Sequence, residues 1–459
     1  MTSDFSTISI SSEQKENLLS LGYKTLTPVQ QKSLPAILHG DDVIVQAKTG
    51  SGKTVAFGLG LLEAINPRFF GAKSLVLCPT RELADQVAKE VRKLARCIPN
   101  IKLVVLTGGK PIRNQIDSLE HGAHIIVGTP GRIKDHLDRN NLDIEQLTTL
   151  VLDEADRMLD MGFQEDIEHI ISYAPEQRQT LLFSATYPDS IKHMCESVLH
   201  DPVTIKVDTK HKKNVITEHF FKVANKHRED SLLALFEHYK PDNAVVFCKT
   251  KIQCHEVAEL LNENRIQALA IHGDLEQRDR DAVLTRFSNN SCAVLVATDV
   301  AARGLDIKAL KAVINYELPH DAEDYVHRIG RTGRAGEEGL ALSLYTDAES
   351  NRMKAVESYQ NDSVEKVSID KLKRHPRYSM IAPMVTLHID TGKKNKIRPG
   401  DLLGALTKDA GIAGNTIGKI DIFAKFSTVA LERESITKAL TYFQNGKVKG
   451  RFTRAWLLD

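Results

Sequence analysis

The sequence predicts an α/β protein: two tandem domains, each a parallel sheet with helices on both faces, followed by a small α+β domain. Three observations predict it. Short apolar, β-branched runs alternate with amphipathic helical patterns, and that alternation implies parallel strands joined by helical crossovers. Two of the runs then recur at nearly one offset. SLVLCPT (74–80) is echoed by NAVVFCKT (243–250), with Thr80 and Thr250 separated by 170 residues; HIIVGTP (124–130) is echoed by AVLVATD (293–299), with Thr129 and Thr298 separated by 169. Third, charge is unevenly spread. From Val385 to Asp459 there are 13 Lys+Arg and 7 Asp+Glu, a net of +6, on a chain whose total is +1. A basic tail on a slightly acidic body points to a separate anion-binding module.

In chain order, the first domain is expected over 1–207. Its buried strands are the run before the turn at 47–54, then SLVLCPT, IKLVVLTGG (101–109), HIIVGTP, LVLDEA (150–155) and TLLFSAT (180–186). Each ends in polar or Gly/Pro residues, and ligands of such sheets sit at the carboxyl ends of strands. DTKHKKN, polar and Lys-rich, predicts a linker at 208–215. The second domain follows over 216–365, and a polar stretch around KLKRHP predicts another linker at 366–382. The tail, 383–459, reads as strand (384–390), helix (398–409), strands (417–431), helix (434–445) and a last strand near RFTRAWLL. That is the split ferredoxin-like order that RNA-recognition modules share.

Bulk properties narrow the class. A hydrophobic content of 42% and a charged content of 26% are those of an ordinary globular protein. No run approaches 18 consecutive apolar residues, and the start lacks a basic segment followed by an apolar core. Six scattered cysteines with no C-x-x-C pair fit reduced thiols rather than a disulfide framework or a zinc site. A cytoplasmic protein without membrane attachment is expected.

The chemistry begins at DVIVQAKTGSGKTVAF (42–57): a strand, a Gly-rich turn and a helix start. Gly50, Gly52, Lys53 and Thr54 fit the phosphate-loop pattern G-x-x-x-x-G-K-[ST], with Ala47 in place of its first glycine and Lys48, Thr49 and Ser51 between. Successive N–H groups cradle phosphate oxygens, Lys53 adds a point charge, and the Thr54 hydroxyl reaches Mg²⁺. The loop gives meaning to VLDEADRML (151–159), where three acids follow a buried strand. A helix start is the plain reading, since acids are favoured in a first turn. Alone it explains neither the strand nor the loop. Asp153 at a strand end can hold Mg²⁺ on the phosphates, and Glu154 can then orient the attacking water. Asp156 has no assigned chemistry on these grounds; with Arg157 it reads as structural.

Only one domain copy carries a phosphate loop. The other has HRIGRTGRAG (327–336), with Arg328, Arg331 and Arg334 at three-residue spacing. On one helical face they could reach a phosphate held by the first domain; the alternative is a surface salt-bridge helix.

With these motifs in order, the chain resembles a DEAD-box RNA helicase along essentially its whole length, which implies two RecA-like domains, ATP, Mg²⁺ and RNA. GYKTLTPVQ (22–30) is similar to the Q motif (5–31 here), implying that Gln30 reads the adenine and Phe5 stacks on it. PTREL (79–83), Gly108-Gly109 and TPGR (129–132) resemble RNA-backbone contacts, implying roles for Pro79, Thr80, Arg81, Gly109, Thr129 and Arg132. SAT (184–186) resembles the segment that couples nucleotide state to RNA, implying roles for Ser184 and Thr186, with His327 as a further coupling residue. HGDLEQRDR (272–280) and ATDVAARGLD (297–306) resemble RNA and nucleotide contacts, implying Gly273, Thr298 and Arg303 on RNA and Asp306 near the ribose. HRIGRTGR implies Arg331 and Arg334 on the γ-phosphate. The residues themselves suit phosphate-backbone contacts that bind without reading sequence; RNA rather than DNA comes from the resemblance.

The tail, GKKNKIRPGDLLGALTKDAGIAGNTIGKIDIF (392–423), closely resembles the RNA-binding domain of the DbpA subfamily of bacterial DEAD-box proteins. That implies a hairpin of 23S ribosomal RNA as target and a role in large-subunit assembly by a monomer. The usual strand-3 aromatic motif of RNA-recognition modules is absent, FSTVALE (426–432) offering only Phe426. Lys393, Lys394, Lys396, Arg398, Lys447, Lys449, Arg451 and Arg454 are therefore the expected contacts, through phosphates and hairpin shape. Trp456, the only tryptophan, reads as core.

Overall fold

In a computed structural model of the chain, residues 4–47, 50–207, 216–302, 310–333 and 338–458 are described. The expected linker 208–215 and the expected site residues Lys48, Thr49, Arg303, Asp306 and Arg334 lie outside the described residues.

The first unit holds a seven-stranded parallel sheet: β1 (Val43–Gln46), β2 (Ser74–Leu77), β3 (Leu103–Leu106), β4 (Ile125–Gly128), β5 (Thr149–Asp153), β6 (Gln179–Ser184) and β7 (Val203–Lys206), in the order β3-β4-β2-β5-β6-β1-β7. Alternation along the strands feeds two cores. Val43, Val45, Val76, Val127, Val151 and Phe183 pack on one face, and Ile44, Leu75, Leu77, Ile126, Leu150 and Leu182 on the other. A strand buried on both faces must read as a continuous apolar run, and β2, β4 and β5 are buried at every position.

The second domain repeats this plan. Its strands are β8 (Ile216–Lys222), β9 (Ala244–Cys248), β10 (Ala268–Ile271), β11 (Val294–Thr298), β12 (Ala312–Asn315), β13 (Gly339–Tyr345) and β14 (Glu365–Val367). Their order, β10-β11-β9-β12-β13-β8-β14, is the first sheet's order strand for strand. The repeat seen in the sequence extends to local chemistry. Thr80 after β2 and Thr250 after β9 each cap the next helix, the hydroxyl accepting from Leu83 N and from Gln253 N, both at 3.2 Å.

The third domain is an antiparallel sheet of β15 (Met384–Ile389), β16 (Ile417–Ile422), β17 (Ser427–Glu432) and, after a two-stranded ribbon of β18 (Lys447–Val448) and β19 (Arg451–Phe452), β20 (Ala455–Leu457). The sheet order is β16-β17-β15-β20. Helices Pro399–Gly404, continued by one π turn over Ala405–Asp409, and Ile436–Asn445 cover one face. Leu387, Ile389, Leu402, Leu406, Val429, Leu431 and Phe443 form the core beneath them. The strand–helix–strand–strand–helix–strand order is the one the sequence predicts; the ribbon is an addition.

The polar stretch 366–382 is packed along the second domain. β14 reaches into it and pairs with β8, Arg374 bridges Glu237 at 2.7 Å, and Leu372, Met380 and Ala382 are buried in the second-domain core. The third domain is then docked by hydrogen bonds. Asn289 Nδ2 donates to Thr386 Oγ1 (3.2 Å), Ser291 Oγ shares a 2.7 Å bond with the same oxygen, and Met384 N donates to Asn290 O (3.2 Å). Arg433 Nε donates to Ala382 O at 2.7 Å, and Lys419 Nζ to Ser288 Oγ at 3.3 Å.

Candidate nucleotide site and nucleic-acid interface

The expected site residues fall in two groups along the carboxyl edge of the first sheet. Three adjacent strands, β5, β6 and β1, end in the expected nucleotide and coupling residues. Three more, β3, β4 and β2, end in the expected RNA residues, and β7 closes the sheet at the edge beyond β1.

On the nucleotide side, β1 runs into buried Ala47, and the helix Lys53–Glu63 begins where the turn ends. Gly50 (φ +81) and Gly52 (φ +92) take the left-handed backbone that brings the turn round. A side chain at Gly52 would also meet Gln30, its Cβ lying 2.5 Å from Nε2. Gln30 is buried and spends its carboxamide on this junction. Its Oε1 accepts from Thr27 N at 2.9 Å and its Nε2 donates to Gly52 O at 3.1 Å. The Q-motif resemblance thus has a physical counterpart, a strap from Thr27-Gln30 to the turn. Phe5 lies in the adjoining core, 3% exposed.

Lys53 and Asp153 are both buried, and Lys53 Nζ and Asp153 Oδ1 have no hydrogen-bond partner among the described residues. Burial pushes the Asp153 carboxyl up to about 6; Lys53 pulls it down, and the charge of Glu154 raises it further. Unpaired buried charges of opposite sign are costly unless a ligand completes them. A polyphosphate carrying a divalent cation has the required complement: oxygens for Lys53, metal for Asp153 and the half-buried Thr54. Glu154 sits at the strand–helix junction with φ +53, a conformation that non-glycine residues adopt at a cost and that aims its side chain off the regular strand path. Cys78, at the end of β2, is fully buried beside Asp153 and Glu154, and that burial, with their charge, holds its thiol far above its ordinary range.

Asp156 is the residue whose role the sequence concealed. Its Oδ2 accepts from Ala185 N (3.1 Å), Thr186 N (3.0 Å) and Thr186 Oγ1 (3.0 Å). One carboxylate therefore ties the acidic turn after β5 to the Ser-Ala-Thr turn after β6, while Ser184 Oγ is buried without a partner among the described residues. Nothing in the local pattern around Asp156 signals a partner 30 residues away.

On the RNA side, Pro79 and Thr80 follow β2, Gly109 (φ +73) follows β3, and Thr129 follows β4. Arg81 lies against Gly108, where a Cβ would stand 3.0 Å from its guanidinium. Arg132 Nη1 donates to Lys110 O (3.2 Å) and Gln115 Oε1 (3.1 Å), and Gln115 Nε2 donates to Thr107 O (2.8 Å). The loop after β3 and the helix after β4 are thereby locked together. His124 accepts from Lys102 N at 3.0 Å, and its ring meets that of Phe70 at a tilt, with centroids 4.7 Å apart.

In the second domain, exposed Gly273 follows β10 and Thr298 ends β11, the positions matching the first domain's RNA side. Helix Arg228–Tyr239 follows β8 as Lys53–Glu63 follows β1, and its first residue is Arg228. That buried guanidinium donates to Glu349 Oε2 and to the Tyr316 carbonyl. Burial works against ionisation of Glu349, yet the Arg228 and Thr346 donors hold its carboxyl below the usual range. In the second copy the first cation of the corresponding helix is thus spent on an internal carboxylate.

The arginine series requires a correction. Arg328 and Arg331 do not share a helical face, because the helix ends at Ile329; Arg334 lies outside the described residues. Arg328 is buried in a two-point pair with Asp299 (2.6 and 2.7 Å) and donates also to Asn315 and Glu317, a structural clamp. Arg331 lies half-buried in the following turn, and His327 Nε2 lies 4.0 Å from Glu323 Oε1.

The third domain gathers its expected cations. Lys393, Lys394, Lys396, Arg398, Lys447, Lys449, Arg451 and Arg454 are all exposed. Lys449 Nζ donates to Lys396 O at 2.9 Å and approaches Asp401 at 3.5 Å, bringing the ribbon beside the 393–398 segment. Lys447 lies over the ring of Phe452 at 4.6 Å. Trp456 is not core: 45% of it is exposed, and it stacks on His388 with centroids 4.3 Å apart. His388 stacks in turn on Phe426 (4.6 Å), and Phe426 on Phe423 (4.5 Å).

Comparison with known proteins gives the family. Residues 27–194 match the DEAD/DEAH box helicase family, 227–336 the helicase conserved C-terminal domain, and 386–456 the DbpA RNA binding domain. The ATP-dependent RNA helicase DbpA of Escherichia coli (strain K12) is 50% identical over 459 residues, 99% of either chain. The DEAD-box ATP-dependent RNA helicase CshA of Geobacillus kaustophilus (strain HTA426) is 43% identical over 79% of this chain and 78% of its own. Among solved structures, S. cerevisiae Dbp5 bound to RNA and ADP BeF3 aligns with a TM-score of 0.74 at 29% identity, covering 80% of this chain and 96% of that one. Mss116p bound to ssRNA and AMP-PNP aligns at 0.71 and 28% identity, covering 80% of both. The two sheets are thus RecA-like domains, the third is an RNA-binding domain, and the chain belongs to the DEAD-box ATP-dependent RNA helicases, within their DbpA subfamily.

Proposed function

We propose that this helicase uses ATP to open short RNA duplexes locally, and that its third domain places it on a hairpin of 23S ribosomal RNA during large-subunit assembly in the cytoplasm, acting as a monomer. The observation that carries the reading is the divided carboxyl edge of the first sheet, with Asp156 joining its acidic turn to the Ser-Ala-Thr turn. Lys53 and the turn at 47–52 hold the phosphates, while Gln30 and Phe5 form the adenine end. Thr54 and Asp153 hold Mg²⁺, which when bound shields phosphate charge and favours in-line displacement. Glu154 orients the attacking water and takes its proton. Arg331 and Arg334 supply charge to the γ-phosphate, and Asp306 reaches the ribose. Ser184, Thr186 and His327 relay nucleotide state. Pro79, Thr80, Arg81, Gly109, Thr129, Arg132, Gly273, Thr298 and Arg303 grip the RNA backbone without reading sequence.

The third domain acts as a fixed arm. Its hydrogen-bonded joint at Thr386 and Arg433 sets the position of a bound hairpin relative to the second domain, so neighbouring helices are presented at high local concentration. Strand displacement tests the reading. A short duplex attached to the hairpin should separate with ATP, and the same duplex without the hairpin should separate far more slowly. ATP-dependent binding with no strand release would favour an ATP-gated clamp instead.

A further inference from the structure

Phe423, Phe426, His388 and Trp456 form a column of near-parallel rings, with successive interplanar angles of 22°, 17° and 26°. The residues come from three separate segments, so the column is a product of the fold. The inner rings, Phe426 and His388, are each covered on both faces by their neighbours. The terminal rings are the exposed ones, Phe423 at 38% and Trp456 at 45%. We propose that this column is a stacking strip for unpaired RNA bases, extending the RNA-binding role of the third domain from phosphates to base faces; the proposal rests on that role.

Three further observations support RNA as the occupant. First, exposed cations flank the strip. Lys393 N and Lys394 N donate to Phe423 O and Ala424 O (both 2.9 Å), Lys425 lies between the two phenylalanines, and Arg454 O accepts from Asp390 N (2.9 Å). Phosphates on either side of a stacked base would meet these charges, with Asp390 as the neighbouring acid. Second, the centre of the outer sheet face is closed to bases. Thr386, Thr428 and Ala430 are each 1% exposed, and Thr386 is bonded to Asn289 and Ser291 of the second domain. Third, His388 lies on β15, which packs against the second-domain helix Gln277–Ser288 that carries Arg278. Arg278 lies in the 272–280 segment, which resembles an RNA contact of the second domain. A base continuing a preformed ring stack needs no sequence match.

Trp456 is the only tryptophan of the chain, so its emission reports on the strip alone. The test uses the full chain without nucleotide, titrated with an unstructured oligoribonucleotide and, separately, with a blunt RNA duplex of equal nucleotide number. The single strand should quench Trp456 and the duplex should not. In competition binding, Trp456→Leu and Phe423→Leu should each weaken single-strand affinity about tenfold, Trp456→Phe should restore it, and duplex affinity should hold in all three. Unchanged emission at saturating single strand would overturn the proposal, as would single-strand affinity indifferent to loss of either ring. Quenching that follows protein concentration rather than RNA would assign the strip to a second copy of the chain and would overturn it too. Failure of the basic cluster reads out differently, as loss of duplex and hairpin affinity with quenching by single strands intact.

Discussion

At the scale of single residues, the nucleotide site is held in an unfavourable electrostatic state. Asp153 is buried with its carboxyl raised from 3.8 to about 6, so its charged form is less favourable in the folded protein than in the unfolded chain. A raised acid contributes stability that is present below its unfolded value and lost as pH rises through its folded value. Without nucleotide, the helicase should therefore gain about 1–1.5 kcal/mol from this group as pH falls from 7.5 to 5. Asp153→Asn should flatten that gain in urea unfolding and cut ATP hydrolysis by at least ~10²-fold. An unaltered pH slope in the variant would remove Asp153 as its source. The residues of this site were legible because phosphate binding imposes a local pattern: glycines where backbone must approach, then Lys and Thr at the helix start. Asp156 was not legible, because its value lies in three donors of a turn about 30 residues on.

At the scale of elements, the proposed function turns on two junctions. The first is the Gln30 strap on the turn before Lys53. Gly52→Ala would place a Cβ 2.5 Å from Gln30 Nε2 at a φ of +92, so ATP binding should fall by at least ~10-fold and stability by about 1–2 kcal/mol. Isothermal titration and urea unfolding read the two effects separately. The second is the tie from Asp156 to Thr186. Thr186→Val keeps the N–H bond and loses the 3.0 Å hydroxyl bond, a cost of about 1 kcal/mol. ATP affinity should hold in this variant while RNA-stimulated hydrolysis drops; equal loss of both would mean that the tie is merely structural. Strands were the most legible elements, since burial on both faces forces continuous apolar runs in β2, β4 and β5. The helix carrying Arg328 was less so. Its three-residue arginine spacing suggested one face, but the chain leaves the helix at Gly330, and Arg328 turns inward to Asp299.

At the scale of the molecule, the tandem repeat was visible as one offset in the sequence and is exact in sheet order, while the use made of each copy was not visible. In the second copy, Arg228 at the start of the corresponding helix is paired internally with Glu349. Likewise the third domain's strand order was readable, but its docking was not, because Thr386 and Asn289 are ordinary polar residues until folding makes them partners. If that joint fixes the hairpin relative to the second domain, Thr386→Val should leave hairpin affinity unchanged within about twofold while reducing hairpin-stimulated hydrolysis. Loss of hairpin affinity itself would indicate damage to the third domain.

The most direct measurement is ATP hydrolysis by the full chain with a hairpin-containing ribosomal RNA fragment, compared with an unrelated RNA of equal length. Strong stimulation by the hairpin fragment and little by the other is the predicted result. Equal stimulation would contradict selection of the substrate by the third domain.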